Sequence, residues 1–176
     1  RDFSAHSITA MGLVSRNEQL NGDGIPSYRE DWAFRTTYSY AGRYFLEYNG
    51  AYNGSEKFHK SHRWGLFPAV AVGYMISNEK FWQDGGINRV IPKLKFKYSW
   101  GRVGNDNIGA DRFLFLSHIG HGGPGYVFGQ NFNNGYGGFT IGRDANNDIQ
   151  WEISEKQNIG LEMNIASMID LQVEYF

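Results

Sequence analysis

Along most of this chain, apolar and polar residues alternate with a period of two, the pattern of strands whose successive side chains point to opposite faces. Trp32, Phe34, Tyr38 and Tyr40 oppose Arg35, Thr37 and Ser39. Tyr44, Leu46, Tyr48 and Tyr52 oppose Glu47, Asn49 and Asn53. Val70, Val72, Tyr74 and Ile76 oppose Ala69, Ala71, Gly73 and Ser77. Leu94, Phe96, Tyr98 and Trp100 oppose Lys95, Lys97 and Ser99. Ile159, Leu161, Met163 and Ile165 oppose Asn158, Gly160, Glu162 and Asn164. Ile169, Leu171, Val173 and Tyr175 oppose Asp170, Gln172 and Glu174. With a first stretch whose faces do not separate, these predict seven strands, at 3–14, 31–40, 43–53, 66–77, 93–103, 153–165 and 169–176.

The connections add a second signal. Ala41-Gly42 and Ala166-Ser167-Met168 predict tight hairpin turns, and Ser77–Trp82 predicts a capped short helix in the link 78–92. Long connections at 16–30, 54–65 and 104–152 alternate with these, so in an up-and-down sheet they all leave one end. Aromatic residues gather near predicted strand ends (Trp32, Tyr38, Tyr40, Tyr44, Tyr52, Tyr74, Trp100 and Tyr175). Charge-free apolar faces, one-ended long loops and terminal aromatics predict an all-β fold, an antiparallel up-and-down transmembrane β-barrel wall. Leu46, Tyr48, Val70, Val72, Tyr74, Leu94, Phe96, Tyr98, Leu161, Met163, Leu171 and Val173 would face lipid. Arg35, Glu47, Asn49, Lys95, Lys97, Glu162, Asp170 and Glu174 would line a hydrated lumen. Eight strands is the smallest barrel that closes, so seven predict part of a larger one.

Composition narrows the alternatives. Aromatics make up 16% of the 176 residues, with 23 Gly and 4 Pro, a balance that favours strands and turns. Mean hydropathy is −0.50, compatible with a barrel whose strands meet lipid only at every second residue. A net charge of −1 offers no basic field for nucleic acid, and the absence of cysteine excludes disulfides and thiolate metal sites. No apolar stretch approaches the ~20 residues of a membrane helix, and Arg1-Asp2-Phe3-Ser4 does not open a signal peptide. Phe176 is aromatic but shares its face with polar Glu174, Gln172 and Asp170, which predicts the middle of something larger rather than a barrel's last strand.

Four local patterns carry a family resemblance. Tyr52-Asn53-Gly54-Ser55-Glu56-Lys57-Phe58 is similar to R-x-D-G-S-x-[KR]-F, with Tyr for Arg and Asn for Asp. Arg63-Trp64-Gly65-Leu66-Phe67-Pro68 matches R-W-G-x-F-P, and Gly73–Glu79 is similar to G-W-x-I-S-x-E. Leu94–Asn105 resembles L-K-[LF]-[RK]-x-S-[YW]-G-x-x-G-N. Asn147–Glu152 followed by Asn158–Glu162 resembles N-x-D-L-x-W-E and N-x-G-[LV]-[DE]. In this order and spacing, over about residues 40–176, the chain resembles the SusC/RagA-type TonB-linked outer-membrane transporters. The resemblance implies about seven strands of a barrel of about 22, with residues 1–176 part of a single TonB-dependent receptor barrel domain and the plug and TonB box lying outside this chain. It further implies uptake of oligosaccharide or peptide cargo, a SusD-like lipoprotein partner and a TonB complex acting through the plug. The implied location is the outer membrane of a Gram-negative, Bacteroidota-like bacterium, in contact with lipid.

Catalytic and cofactor chemistry finds no support. Gly120-His121-Gly122-Gly123-Pro124-Gly125 spells a dinucleotide fingerprint, but Pro124 and its glycines do not open the helix that motif needs. Asp144, Asn146, Asp148 and Glu155 imitate a calcium loop but place Ile149 where the sharp turn requires Gly. His118 and His121, like His59 and His62, lack a third ligand for zinc. We therefore expect no catalytic residue, cofactor or metal, and no enzyme. The stretch 104–152 stands apart: Tyr126, Phe128, Phe132, Tyr136 and Phe139 alternate with Gly and Asn, a composition suited to gripping a sugar ring, a peptide or a partner protein. Two other architectures fit part of the pattern. One is a small eight-stranded outer-membrane adhesin or structural barrel, its eighth strand within Arg112–Ile119. The other is a soluble carbohydrate-binding β-sandwich, in which the apolar faces would share a dry core.

Overall fold

The computed structural model describes residues 2–3, 5–20, 26–109 and 112–176. Its strands are β1 (Asp2–Phe3), β2 (His6–Gln19), β3 (Ser27–Tyr40), β4 (Tyr44–Ser55), β5 (Trp64–Met75), β6 (Lys93–Asn105), β7 (His118–Phe128), β8 (Asn134–Arg143), β9 (Glu152–Ile165) and β10 (Ile169–Tyr175). Eight of them form one sheet in the order β1-β2-β3-β4-β5-β6-β9-β10, while β7 and β8 pair separately. The chain divides into a sheet body (Arg1–Gly54, Gly65–Asn105 and Glu152–Phe176) and a loop body (Ser55–Trp64 and Asp106–Trp151).

All seven predicted strands are present, and the sheet is an open antiparallel meander. Several strands run further than predicted toward the long connections, which shrink to 20–26, 56–63 and 106–151. Part of the first, residues 21–25, lies outside the described residues. The extensions were hidden by charge, since Arg16, Glu18, Arg29, Glu30 and Asp31 break the apolar alternation while still pairing in register between β2 and β3. That register also sorts the first strand. His6 opposes Tyr40 and Val14 opposes Trp32, whereas Met11 and Leu13 oppose Arg35 and Ala33 on the polar face. Two apolar residues on the polar side explain why no clean face was visible.

Neither alternative architecture survives. Residues 112–117 are turn and coil, and β7 joins only β8, so Arg112–Ile119 adds no strand to the sheet. Leu46, Tyr48, Val72, Phe96, Leu161, Leu171 and Val173 are all exposed, and the buried apolar residues among those described are only Phe58, Phe67 and Trp151. A β-sandwich would bury one face of each sheet in a shared core.

At the short-turn end, Ala41 and Gly42 both take positive φ (51° and 65°), as do Ala166 and Ser167 (53° and 58°). Two successive left-handed residues make the hairpin turn whose twist matches that of its strands. The third connection, 76–92, is a strap of short turns around helix α1 (Lys80–Asp84). Ser77 is buried and caps nothing; Glu79 precedes the helix, also without a side-chain cap. The Glu79 carboxylate instead accepts hydrogen bonds from Tyr44 (2.8 Å), Arg43 (3.0 Å) and Tyr74 (3.3 Å). The Tyr44 hydroxyl and then Arg43 hold this carboxyl below the ordinary glutamate value of 4.5, against a smaller opposing effect of desolvation.

Two outcomes follow for the full-length protein. Replacing Ala166-Ser167 by Asn-Gly relieves left-handed strain and raises folding stability by about 1 kcal/mol, read from the denaturant midpoint in detergent micelles; an unchanged midpoint contradicts it. A lowered folded pKa means that the Glu79 contribution is present above the unfolded value and lost as pH falls through the folded one. Wild type therefore exceeds Glu79→Gln in stability at neutral pH, and the two converge on acidification below the ordinary carboxylate range. A gap that persists in acid would refute the assignment.

Candidate functional site

The polar face of the sheet is built by register. Lys97 opposes Gly160, which opposes Glu174, and Lys95 opposes Glu162. Because Gly160 has no side chain, Lys97 Nζ reaches both Glu162 (2.7 Å) and Glu174 (3.0 Å) across it; a Cβ there would stand 3.1 Å from Lys97 Cε. Lys93 adds a second contact to Glu162 (3.1 Å), Asn158 and Gln172 donate to Glu174, and Asn164 donates to Asp170 (2.8 Å). On the other side of the sheet body Arg35 donates to Glu47 (2.8 Å), which also accepts from Asn49 (2.7 Å). Lys95 lies over the Phe45 ring at 5.1 Å. Each of the eight residues expected on the polar face thus makes an ion pair, a hydrogen bond or a cation–ring contact, in four separate groups. Some of them border a groove of about 450 Å³ lined by Thr37, Ser39, Glu47, Lys95, Lys97 and Glu174, among others.

On the opposite face the expected residues fall into rows. Leu94 pairs with Met163, which pairs in turn with Leu171; Phe96 pairs with Tyr74 and Leu161, and Leu161 pairs with Val173; Tyr98 pairs with Val72 and Val70 with Trp100. On β4, the Tyr48 ring lies tilted at 5.5 Å from Phe34, whose ring lies over Gly50 where a Cβ would sit 2.0 Å away. Leu46 lies on the same strand face, two residues before Tyr48. Toward the short turns His6, Tyr40, Tyr44 and Tyr74 form a continuous belt, with centroid spacings of 4.7, 6.3 and 5.1 Å. Toward the long connections this face turns charged: Arg16 opposes Glu30, and just beyond Trp100 Arg102 pairs with Glu155 at 2.6 Å. Glu155, the twelfth place of the calcium-loop look-alike, is thus one partner of an ion pair on β9, while Asp148 N bonds Asn146 Oδ1 within its own turn.

The loop body holds two arrangements. The first is a clasp around Phe58, fully buried against Trp151 with ring centroids 5.3 Å apart. The Trp151 indole N–H and the Ser55 backbone N–H both donate to the Arg63 carbonyl (each 3.1 Å). Ser55 Oγ donates to Asp106 Oδ2 (2.9 Å), Lys57 to the Asp106 carbonyl (3.0 Å), and Arg112 pairs with Glu56. His62 bonds the Asn147 carbonyl (3.2 Å) and His59 bonds Ser61 (2.9 Å), so both histidines serve loop architecture. Periodicity gives no hint of this cluster, because its members sit in loops and at strand ends. The local motifs are the only sequence signal that joins its members.

The second arrangement is the β7–β8 hairpin, predicted only as loop. Its glycines are demanded by close strand approach: a Cβ on Gly123 would lie 2.0 Å from the Phe139 carbonyl oxygen, and one on Gly138 2.1 Å from that of Pro124. The apparent dinucleotide fingerprint is therefore strand β7, and its glycines serve strand pairing. Of the five expected aromatic residues, the hairpin brings three together, Phe128 packing edge-on to Tyr126 (5.0 Å) and Tyr136 (5.6 Å). Phe139 lies apart, against His121 (4.7 Å), and Phe132 stands alone in the turn at φ 50°. All five are exposed.

No family model matches the chain. It is 33% identical over 142 residues to the TonB-dependent receptor SusC of Bacteroides thetaiotaomicron, an alignment that covers 76% of this chain and 13% of that protein. It is 30% identical over 131 residues to a TonB-dependent receptor of Formosa agariphila, covering 74% of this chain and 11% of that protein. The chain thus spans only about an eighth of the length of these relatives. Its fold superposes on the RagAB peptide importer in the closed-closed state with a TM-score of 0.75 at 17% identity, over 99% of this chain and 21% of that one.

The clasp predicts its own sensitivity. Phe58→Ala removes the one fully buried ring, a change that costs ~3–5 kcal/mol in a packed site. Trp151→Phe loses one indole hydrogen bond, about 1 kcal/mol. Limited proteolysis of the full-length protein should cut within 106–151 much faster for Phe58→Ala and modestly faster for Trp151→Phe. Equal rates in all three proteins would contradict the clasp.

Proposed function

The chain is a length of barrel wall of the SusC/RagA type of TonB-dependent receptor, and from that premise we propose that it serves TonB-dependent nutrient uptake across a bacterial outer membrane. The observation that carries this reading is the eight-stranded sheet, oily on one largely exposed face among the described residues and laced with ion pairs on the other. Hydrocarbon outside and water inside would suit those two faces. The stretches Trp32–Tyr40 and Tyr44–Tyr52 are each nine residues long, matching the ~9–11 that a tilted strand needs to cross. Arg16, Glu30, Arg102 and Glu155 then stand above the apolar band, and the belt of His6, Tyr40, Tyr44 and Tyr74 marks the interface at the short-turn side.

In this role the wall performs no chemistry. Lys97, Glu162, Glu174, Arg35 and Glu47 spend their charges on one another, which stiffens a hydrated lumen and leaves it without a strong net field. A lumen of that kind suits neutral, hydrogen-bonding cargo of the oligosaccharide or peptide class. Such cargo would pass when a plug, supplied elsewhere in the protein, is pulled aside through a TonB complex. Long connections at one end would form the mouth. Tyr126, Phe128 and Tyr136 would there offer ring faces to cargo or to a SusD-like lipoprotein, with Phe132 and Phe139 as flanking contacts.

The face assignment is tested by charge insertion. Leu161 lies midway along its apolar row, between Gln157 and Ile165, so Leu161→Arg should cost the full-length protein ~2–4 kcal/mol of folding stability in lipid vesicles. Glu47→Gln keeps most hydrogen-bonding geometry on the polar face and should change stability by less than about 1 kcal/mol. Comparable losses in the two variants would end the membrane reading.

A further inference from the structure

The strap between β5 and β6 carries apolar residues that the barrel wall does not use. Phe81 (63% exposed), Ile87 and Val90 stand out along it, and Met168 is exposed in the neighbouring turn. The strap is tied down at both ends. Asn78 donates to the Gly42 carbonyl (2.8 Å), and the Ala166 N–H donates to the Val90 carbonyl (2.7 Å). It therefore bridges two hairpin turns, the one between β3 and β4 and the one between β9 and β10. Trp82 is turned into the strap, its indole donating to the Ile91 carbonyl (3.0 Å), while its neighbour Phe81 meets it only edge-on and remains open.

The side of the sheet on which the strap begins is set by Glu79. Its carboxylate binds the hydroxyls of Tyr44 and Tyr74, which stack in parallel 5.1 Å apart on the apolar face. The chain therefore enters α1 from the apolar side of the rim, level with the aromatic belt, carrying exposed Lys80 and Arg89 among its apolar residues.

We propose that the strap 76–91 is a membrane foot lying in the headgroup–acyl boundary of the leaflet beside the short turns. Phe81, Ile87 and Val90 enter the acyl edge, and Lys80 and Arg89 meet lipid phosphates. The occupant is lipid because the apolar residues continue the belt of the sheet's apolar face, and because cations interspersed with apolar side chains are the composition of interfacial segments. The inference rests on the apolar face of the sheet meeting lipid.

The chain has no cysteine, which suits site-directed spin labelling. Phe81→Cys, Ile87→Cys and Val90→Cys are labelled one at a time in a cysteine-free form of the full-length protein, reconstituted in phosphatidylethanolamine–phosphatidylglycerol vesicles. Val72→Cys and Ser99→Cys serve as references for the apolar and polar faces. Collision with oxygen, relative to a water-soluble nickel chelate, should be several-fold higher at 81, 87 and 90 than at 99, and lower than at 72. If 81, 87 and 90 match position 99 while 72 reads as lipid, the foot is refuted and the membrane wall stands. Shielding of the three sites from both relaxants would mean a protein partner covers the strap and would equally overturn it. If 72 itself reads as water, the membrane reading fails, and the foot with it.

Discussion

One hydrogen-bonded layer, apolar on one face and polar on the other, governs everything else in this molecule. With no core to bury, the sheet depends on its backbone ladders and on cross-strand pairs worth ~0.2–1 kcal/mol each. In the membrane setting proposed above, a break in a ladder would leave polar backbone groups unsatisfied where lipid offers no partner. The structure respects that limit even across its longest excursion. Between β6 and β9 the chain leaves for 46 residues, Asp106–Trp151, yet the two strands pair without a slip from Lys93↔Asn164 to Asn105↔Glu152. The excursion satisfies much of its own backbone by folding β7 on β8.

A wall one residue thick also explains the placement of its glycines. At Gly50 the Phe34 ring occupies the space of the missing side chain, and at Gly104 the Phe67 ring does the same, with the virtual Cβ 2.0 Å from the ring in both cases. An aromatic ring laid over a glycine covers bare backbone that a sheet without a packing layer would otherwise expose. Gly160 solves the opposite problem on the polar face, opening room for one lysine to serve two carboxylates.

Alternation made the wall legible in the sequence because one apolar and one polar face leave little freedom at each position. Where that pressure lapses, so did legibility. Met11 and Leu13 lie on the polar face and blurred the first strand, and charged residues at the tops of β2 and β3 concealed their extensions. The β7–β8 hairpin escaped because strand pairing there relies on glycines, which contribute no periodicity, and because bulges near Gly123 shift its phase. Its aromatic residues were visible as candidates, but their division into a cluster of three, a His121–Phe139 pair and a lone Phe132 depends on that shift. The Glu79 network was equally hidden, since its partners lie 35 and 36 residues away at Tyr44 and Arg43.

The motif residues that carry the family resemblance find one another in space. Ser55 and Phe58 from the first pattern meet the Arg63 carbonyl of the second and Trp151 of the last; Phe67 of the second covers Gly104 of the third; Asn105 of the third donates to Glu152 of the last at 2.9 Å. These letters therefore encode contacts inside the clasp and, separately, contacts between neighbouring strands at their ends. Cargo choice would have to reside where the motifs are silent, in the exposed rings of Tyr126, Phe128 and Tyr136 and in the polar groove. On that division, resemblance through the clasp identifies the machine, while exchange of the hairpin between relatives is what should transfer preference for one cargo over another.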